Sequence, residues 1–419
     1  MPDLQSPHVA PGPEASDTPW RATESHRAFL AADALRQFDF FRASLGEGPG
    51  FHVLAADGTP LPTGKQELHT TTRLTHVYAL GHLAGVAHAE EIVDRGMAYL
   101  WSHHRDADHG GYLWALEGDA PVDARKLAYG HVFVLLAAAS AKAAGHPEAD
   151  RLLADVDGIL DAHFWEEDNG LFCDEYNRDF TPFSSYRGMN ANMHGVEALL
   201  AAFEATGREK FLERAGRILD FFMRRIAPEH DWRLPEHYDA DWRIDAGYAG
   251  DPMFRPAGTT PGHSFELARL LLQYWDLAGR PEDGSPEIAR NVAYRAAQDA
   301  WDAESGGLYY TLKPGGAPDI RARYWWPVTE AIGAMAALQK ATPGVTEDEE
   351  WYRRLWRFAS LAFIDHERGG WFPEVAEGGI APQTQFAGKP DIYHAVQADM
   401  LPLLPGLSGA YGEVRGLLA

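Results

Sequence analysis

The 419-residue chain carries one cysteine, Cys173. That excludes an internal disulfide and any metal site built from clustered cysteines, and it fits a reducing compartment. Basic residues are in deficit, with 37 Lys and Arg against 61 Asp and Glu and a net charge of −24. Such a surface repels phosphate backbones and anionic bilayers, so neither nucleic acid nor a membrane surface is expected as a partner. No apolar run approaches the ~20 residues that a spanning helix needs. The opening stretch, MPDLQSPHVAPGPEASDTP, lacks the basic and apolar regions of a secretory signal. Residues 1–20 therefore read as a disordered Pro-rich tail, residues 21–419 as a single domain, and the protein as cytoplasmic. Also missing are a G-x-S-x-G elbow, a Walker loop and a dinucleotide fingerprint between strand and helix. Their absence removes the usual sequence signs of an activated serine, a nucleoside triphosphate or a nicotinamide cofactor.

What the chain has in quantity is a repeat. Segments of aromatic and β-forming residues follow a turn signal six times: Gly50-FHVLAADGTPL, Gly110-GYLWALEGD, Gly170-LFCDEY, Asp231-WRLPEHYD, Gly306-GLYYTL and Gly369-GWFPEV. Most recur at about 60 residues, and each is too short for a helix and reads as a small hairpin. Two helix-length stretches separate consecutive hairpins. The first is apolar almost all round, as in TTTRLTHVYALGHLAGV and NANMHGVEALLAAFEATG; the second is charged on one side, as in REKFLERAGRILDFFMRRI. A helix without a polar face must be covered on all sides, whereas an amphipathic one lies outside. Six such pairs predict an all-α (α/α)6 barrel with the hairpins at one end. An open solenoid of the same repeats is the alternative, and the absence of a polar cap repeat favours closure.

The stretch TTPGHSFE, residues 259–266, reads as the start of an inner helix. Thr260 suits the N-cap and Pro261 the first helical position, which puts His263 in the first turn with Glu266 on the same face. Free backbone N–H groups at that end disfavour imidazolium and leave His263 able to accept a proton. Aligning the inner helices by their hairpins brings His76, His131, His194, His263 and His394 into one predicted layer, with Thr329 in the fifth unit. Arg73, Tyr129, Asn190, Glu197, Glu330 and Gln397 lie close by in sequence, and Trp325 and Trp326 open the fifth inner helix. Aromatic faces beside polar groups suit a pyranose, although ordinary core packing accounts for any one of these residues alone. The pairs His194/Glu197 and His263/Glu266 have metal-ligand chemistry, but no H-E-x-x-H or cysteine spacing supports them, and no metal is expected. Cys173, without a partner histidine nearby in sequence, is expected to be inert.

The motifs TTRLTHVYALG, KLAYGHVF, MNANMHGVEALLAA, FRPAGTTPGHSFELARLL, RYWWPVTEAIGAM and GKPDIYHAVQADM together resemble the N-acylglucosamine 2-epimerase superfamily. The TTRLTH form is similar to its aldose–ketose isomerase branch, which includes mannose isomerases and sulfoquinovose isomerase. The resemblance implies an (α/α)6 barrel that converts a free hexose, D-mannose first, to its ketose through a cis-enediolate without cofactor or required metal. It implies His263 and His394 as the acid/base pair and His194 as a third pocket histidine. Arg73, Tyr129, Asn190, Glu266, Trp325 and Trp326 match substrate-contacting positions, and Glu266 is expected to fix the tautomer of His263. A sulfonated hexose stays open, with Arg255 as its cation, and so does 2-epimerisation. Outside the family stand an inverting glycoside hydrolase using two carboxylates and a sugar-binding barrel without chemistry. Oligomeric state is left open.

Overall fold

The computed structural model describes residues 18–252, 255–375, 386–389 and 391–419. Within them the main helices alternate between the two kinds seen in the sequence. The outer ones are α1 (Glu24–Phe41), α3 (Ala89–Tyr99), α5 (Ala149–Ile159), α7 (Glu209–Leu219), α9 (Ser285–Ala300) and α11 (Thr346–Ala362). The inner ones are α2 (Leu68–Ala84), α4 (Ala128–Ala143), α6 (Met189–Thr206), α8 (Pro261–Leu277), α10 (Trp325–Ala341) and α12 (Tyr393–Leu403). Inner α4 buries every residue from Gly130 to Ala141, whereas outer α7 buries only Phe211, Ala215, Ile218 and Leu219, a single stripe at helical spacing.

The inner helices form a ring. Each packs on the next, from α2 through α4, α6, α8 and α10 to α12, and α12 packs back on α2. Outer α1, the first helix in sequence, covers α12, the last inner one. The repeats therefore close into the expected (α/α)6 barrel, and the open solenoid is set aside.

Backbone pairing repeats this closure at one end of the barrel. The residues entering each inner helix pair with the hairpin of the next unit: Lys65–Glu67 with Ala115–Glu117, Lys126–Leu127 with Glu175–Tyr176, and Arg187–Gly188 with His237–Tyr238. Thr259 follows with Leu312, then Arg323–Tyr324 with Glu374–Val375, and finally Lys389 returns to Leu54 in the first unit. The sequence suggested hairpins folded within each unit; the structure adds pairing between units, because two or three residues of ladder are too few to stand alone. Gly258 and Gly388 lead into the two single-residue bridges with φ of +86° and +77°. A Cβ on them would lie 2.1 Å from the Leu312 carbonyl oxygen and 1.9 Å from that of Leu54. Only glycine lets these backbones approach.

Buried lysines tie hairpin to helix entry. Lys126 Nζ donates to Asp106 Oδ2 at 3.0 Å and to the Gly110 carbonyl at 2.8 Å. Lys389 does the same with Asp365 at 2.8 Å and Gly369 at 2.6 Å. At the other boundary the expected tail is shorter than its stated span. Trp20 is 1% exposed, and its backbone N–H donates to Glu349 Oε1 at 2.8 Å, so the packed chain begins before residue 21. Residues 1–17 of that tail lie outside the described residues. Among the described residues no helix is long and apolar enough to cross a membrane.

The seam between α1 and α12 holds two acids. The Gln37 amide donates to Asp399 Oδ2 at 2.5 Å and to Asp33 Oδ2 at 3.2 Å, and Asp33 also receives Trp371 Nε1 and Arg36. Burial, and then the neighbouring Asp33, hold the Asp399 carboxyl well above its ordinary range. The folded chain thus keeps a proton that the unfolded chain releases, so stability falls as pH rises beyond the unfolded carboxyl range. Asp399→Asn should raise the thermal midpoint by a few degrees at about pH 8, the gain vanishing near pH 4. Calorimetry at both pH values checks this; a lower midpoint at pH 8 would show Asp399 ionised in the fold.

Candidate active site

Helix α8 begins as its sequence predicts, with Thr260 at the N-cap and Pro261 in the first position. The Thr260 hydroxyl makes no cap. Instead its backbone N–H donates to Glu236 Oε1 at 3.1 Å, reaching back to the fourth hairpin segment. Both oxygens of that carboxylate lie 3.0 Å from His263 Nδ1. Glu236, not Glu266, therefore orients His263. Side chains on a helix tilt toward its N-terminus, so His263 leans out to the hairpin while Glu266, a turn further on, stays inside the ring.

His394, the second residue of α12, is built the same way from another direction. Its Nδ1 lies 2.8 Å from Glu330 Oε1 on α10. In both histidines Nδ1 faces the carboxylate, which leaves Nε2 as the ring nitrogen turned away from it. Both rings lean on Trp326, with centroids 5.1 Å and 5.7 Å away at 34° and 37°. Gly262 makes room for that indole, since a Cβ there would sit 2.2 Å from Trp326 Cζ3. Trp325 is buried and meets His394 edge-on at 6.2 Å.

The remaining wall is continuous with this pair. Arg73 Nη1 donates to Asp391 Oδ2 at 2.8 Å and Nη2 to the Tyr129 hydroxyl at 2.9 Å, while its guanidinium lies 4.7 Å from the ring centres of Phe133 and Tyr393. Tyr393 in turn packs on His394 at 4.7 Å, and Tyr129 meets His194 edge-on at 5.2 Å. Asn190 Oδ1 is shielded from solvent and has no protein partner. His263, His394, His194, Arg73, Tyr129, Trp325 and Trp326 are thus linked by contacts into one wall.

Of the five repeated histidines, His131 lies elsewhere and His76 lies below the pair, edge-on to Tyr393 at 5.9 Å. His131 Nε2 accepts the Tyr112 N–H at 3.0 Å and Nδ1 donates to the Leu127 carbonyl at 2.7 Å, which fixes a neutral ring as a staple between hairpin and helix. Burial pushes its pKa down to about 3. His76 lies about two turns into α2, so its ring sits deeper, with Nδ1 2.6 Å from Ser140 Oγ, and burial lowers its pKa to about 4. A shared distance from the hairpin did not mean a shared helix face. Thr329 turns its hydroxyl back to the Trp326 carbonyl.

Beneath the pair lies an ionic layer that the sequence only half suggested. Arg269 Nη2 is 3.4 Å from Glu330, 3.9 Å from Glu197 and 4.0 Å from Glu266. The Tyr393 hydroxyl bonds Glu197 Oε2, and His194 Nδ1 is 3.3 Å from Glu266 Oε1. Burial takes His194 down to about 4. Burial opposes the charge on Glu330, but Arg269 and His394 outweigh it and hold its carboxyl below the usual range. One atom each of His194, Glu197 and Glu266 falls within a 4.8 Å span, close enough to share a cation. Arg269 already brings positive charge to the two acids of that group.

Glu236, Asp391, Arg269 and Tyr393 escaped the sequence reading, yet one had a signal in the repeat. Asp174, in the third hairpin, accepts the N-cap N–H of α6 through Gly188 at 2.7 Å, as Glu236 does for α8. An acid in a hairpin, aimed at the following inner helix, thus recurs in the third and fourth units. Asp391 accepts the Tyr393 N–H at 3.0 Å and so joins the start of α12 to Arg73.

The model of the N-acylglucosamine 2-epimerase (GlcNAc 2-epimerase) family matches residues 50–398. A D-mannose isomerase of Thermobifida fusca is 43% identical over 411 residues, 95% of this chain and 100% of that protein. Another, of Pseudomonas cannabina pv. alisalensis, is 36% identical over 407 residues, 95% and 97% of the two chains. A crystal structure of D-mannose isomerase superposes with a TM-score of 0.85 at 31% identity, covering 94% of this chain and 99% of that one. A closed ring of six helix pairs, a match over most of its length and relatives that align end to end lead to one conclusion: the chain belongs to the N-acylglucosamine 2-epimerase family.

Proposed function

We propose that the protein is a cytoplasmic aldose–ketose isomerase that interconverts D-mannose and D-fructose. The observation that carries this reading is the pair His263 and His394, each with Nδ1 on a carboxylate and both leaning on Trp326. Relatives named D-mannose isomerase at 43% and 36% identity support the choice of sugar.

The chemistry follows from the tautomers. His263 Nε2 relays protons between sugar oxygens and assists ring opening. In the open chain, His394 Nε2 takes the proton from C2; the electrons of that bond become the C1–C2 double bond, and O1 gains a proton. O2 then gives up its proton as the ketone forms, and the imidazolium returns its own to C1. A neutral imidazole near its working pH can serve in both directions. Arg73, His194 and Asn190 hydrogen-bond the oxygens on which negative charge grows, and Trp325 and Trp326 supply the apolar face against the sugar. Tyr129 holds Arg73 in place.

A sulfonated hexose requires a cation free to meet its sulfonate. Arg255, the residue considered for that task, spends Nη1 and Nη2 on the two oxygens of Glu175, at 3.2 and 3.1 Å. That commitment favours the unsubstituted hexose. The deciding experiment incubates the enzyme with mannose, glucose, fructose and sulfoquinovose in D2O with a chelator present, reading deuterium at C1 and C2 by NMR. Mannose should convert to fructose with exchange at both carbons. Turnover of sulfoquinovose alone, or dependence on added metal, would overturn the proposal.

A further inference from the structure

Three carboxylates, Glu197, Glu266 and Glu330, face a single guanidinium, that of Arg269. Their partners are unequal. Glu330 holds His394 and stands nearest Arg269; Glu197 has the Tyr393 hydroxyl and, at 3.4 Å, the Gln397 amide. Glu266 is fully enclosed, at 0% exposure, and neither of its oxygens receives a hydrogen bond from the protein. Its neighbours are Arg269 at 4.0 Å, His194 Nδ1 at 3.3 Å, the acids Glu330 and Glu197, and Arg73 at longer range. A bare carboxylate so placed is the most costly of the three to ionise. His194 Nδ1, also without a hydrogen bond of ordinary geometry, stands 3.7 Å from Glu197 and nearer, at 3.3 Å, to Glu266.

Resting on the isomerase reading, we infer that Glu266 keeps its proton and offers it to His194 Nδ1, which makes His194 a hydrogen-bond donor to the sugar through Nε2–H. Burial, and then Glu330 and Glu197, push the Glu266 carboxyl in the same direction, well above its ordinary range. The pocket then sorts its three histidines by the protonation of the acid behind each. Glu236 and Glu330 accept from Nδ1 and leave His263 and His394 as bases; Glu266 donates to Nδ1 and turns His194 into the donor that an enediolate oxygen needs. Glu266 is a positioning residue acting through His194, and its place three residues after His263 serves a different histidine.

Glutamine mimics a neutral carboxylic acid, because its amide offers one acceptor and a donor; it cannot mimic a carboxylate. Glu266→Gln should therefore keep kcat within about tenfold of the wild type, while Glu266→Ala loses the order of a hundredfold expected when a transition-state donor is left unset. The second readout needs no turnover. The infrared difference between wild type and Glu266→Gln at neutral pH should contain the carbonyl stretch of a protonated carboxyl group that shifts in D2O. A missing band, or a Glu266→Gln enzyme as slow as Glu266→Ala, overturns the inference. Since the band is read on folded protein whatever its substrate, failure of the mannose reading would leave this test intact.

Discussion

His394→Ala should lower kcat on mannose by at least about a thousandfold and abolish deuterium exchange at C2, with the fold preserved. A positioned acid or base contributes on the order of 10²–10⁴ in rate, and His394 serves twice in each turnover, at C2 and again at C1. Neither nearby imidazole replaces it. His263 is fixed at the start of α8 by Glu236, and burial keeps His194 from protonating near neutrality. The fold should survive because Glu330, once it loses the imidazole, still lies 3.4 Å from Arg269 and is not left as an unpaired buried charge. Kinetics, C2 exchange and a thermal melt on one preparation check all three parts. An alanine variant that keeps a tenth of the wild-type rate would remove His394 from the chemistry.

Glu236→Gln, a change of one heavy atom, should cost nearly as much. Thr260 N–H and His263 Nδ1 both turn to this side chain, and the carboxylate accepts from each. Glutamine has one oxygen. If that oxygen stays with Thr260, the amide nitrogen faces His263, donates to Nδ1 and forces the proton onto Nε2, where a lone pair is required. A base held in the wrong tautomer loses about two to four orders of magnitude in comparable sites. The loss should fall on kcat more than on KM, because the sugar still has Arg73 and Trp326 to meet. Steady-state kinetics decide it, with Glu266→Gln as the control: the same substitution in the neighbouring acid should be mild. Equal loss in both variants would mean that tautomer sorting is not how this pocket works.

The barrel was legible in the sequence because it rests on patterns that survive in one dimension. Helices apolar all round alternate with helices striped on one side, and that contrast reports which will be enclosed. His263 was readable for the same reason, since a Thr-Pro-Gly start fixes where a first turn begins. What could not be read was which acid meets which base. Glu266 stands at the spacing that joins two residues on one helix, yet the carboxylate on His263 comes from position 236, across a hairpin whose path no periodicity reveals. His131 failed for a related cause. It shares a distance from its hairpin with the pocket histidines, but a residue or two of offset rotates a helical side chain by a hundred degrees or more, enough to turn it from cavity to staple. The carboxyl and guanidinium layer around Arg269 draws on three inner helices and becomes visible only once the ring is shut.

The sixth unit is assembled from both ends of the polypeptide: α1 supplies its outer wall, α12 its inner one, and Lys389 meets Leu54 above them. A growing chain therefore presents His263 long before the second base exists, and five finished units cannot make a pocket. Synthesis must run past Leu403 before the ring can shut and bring His263 and His394 together on Trp326.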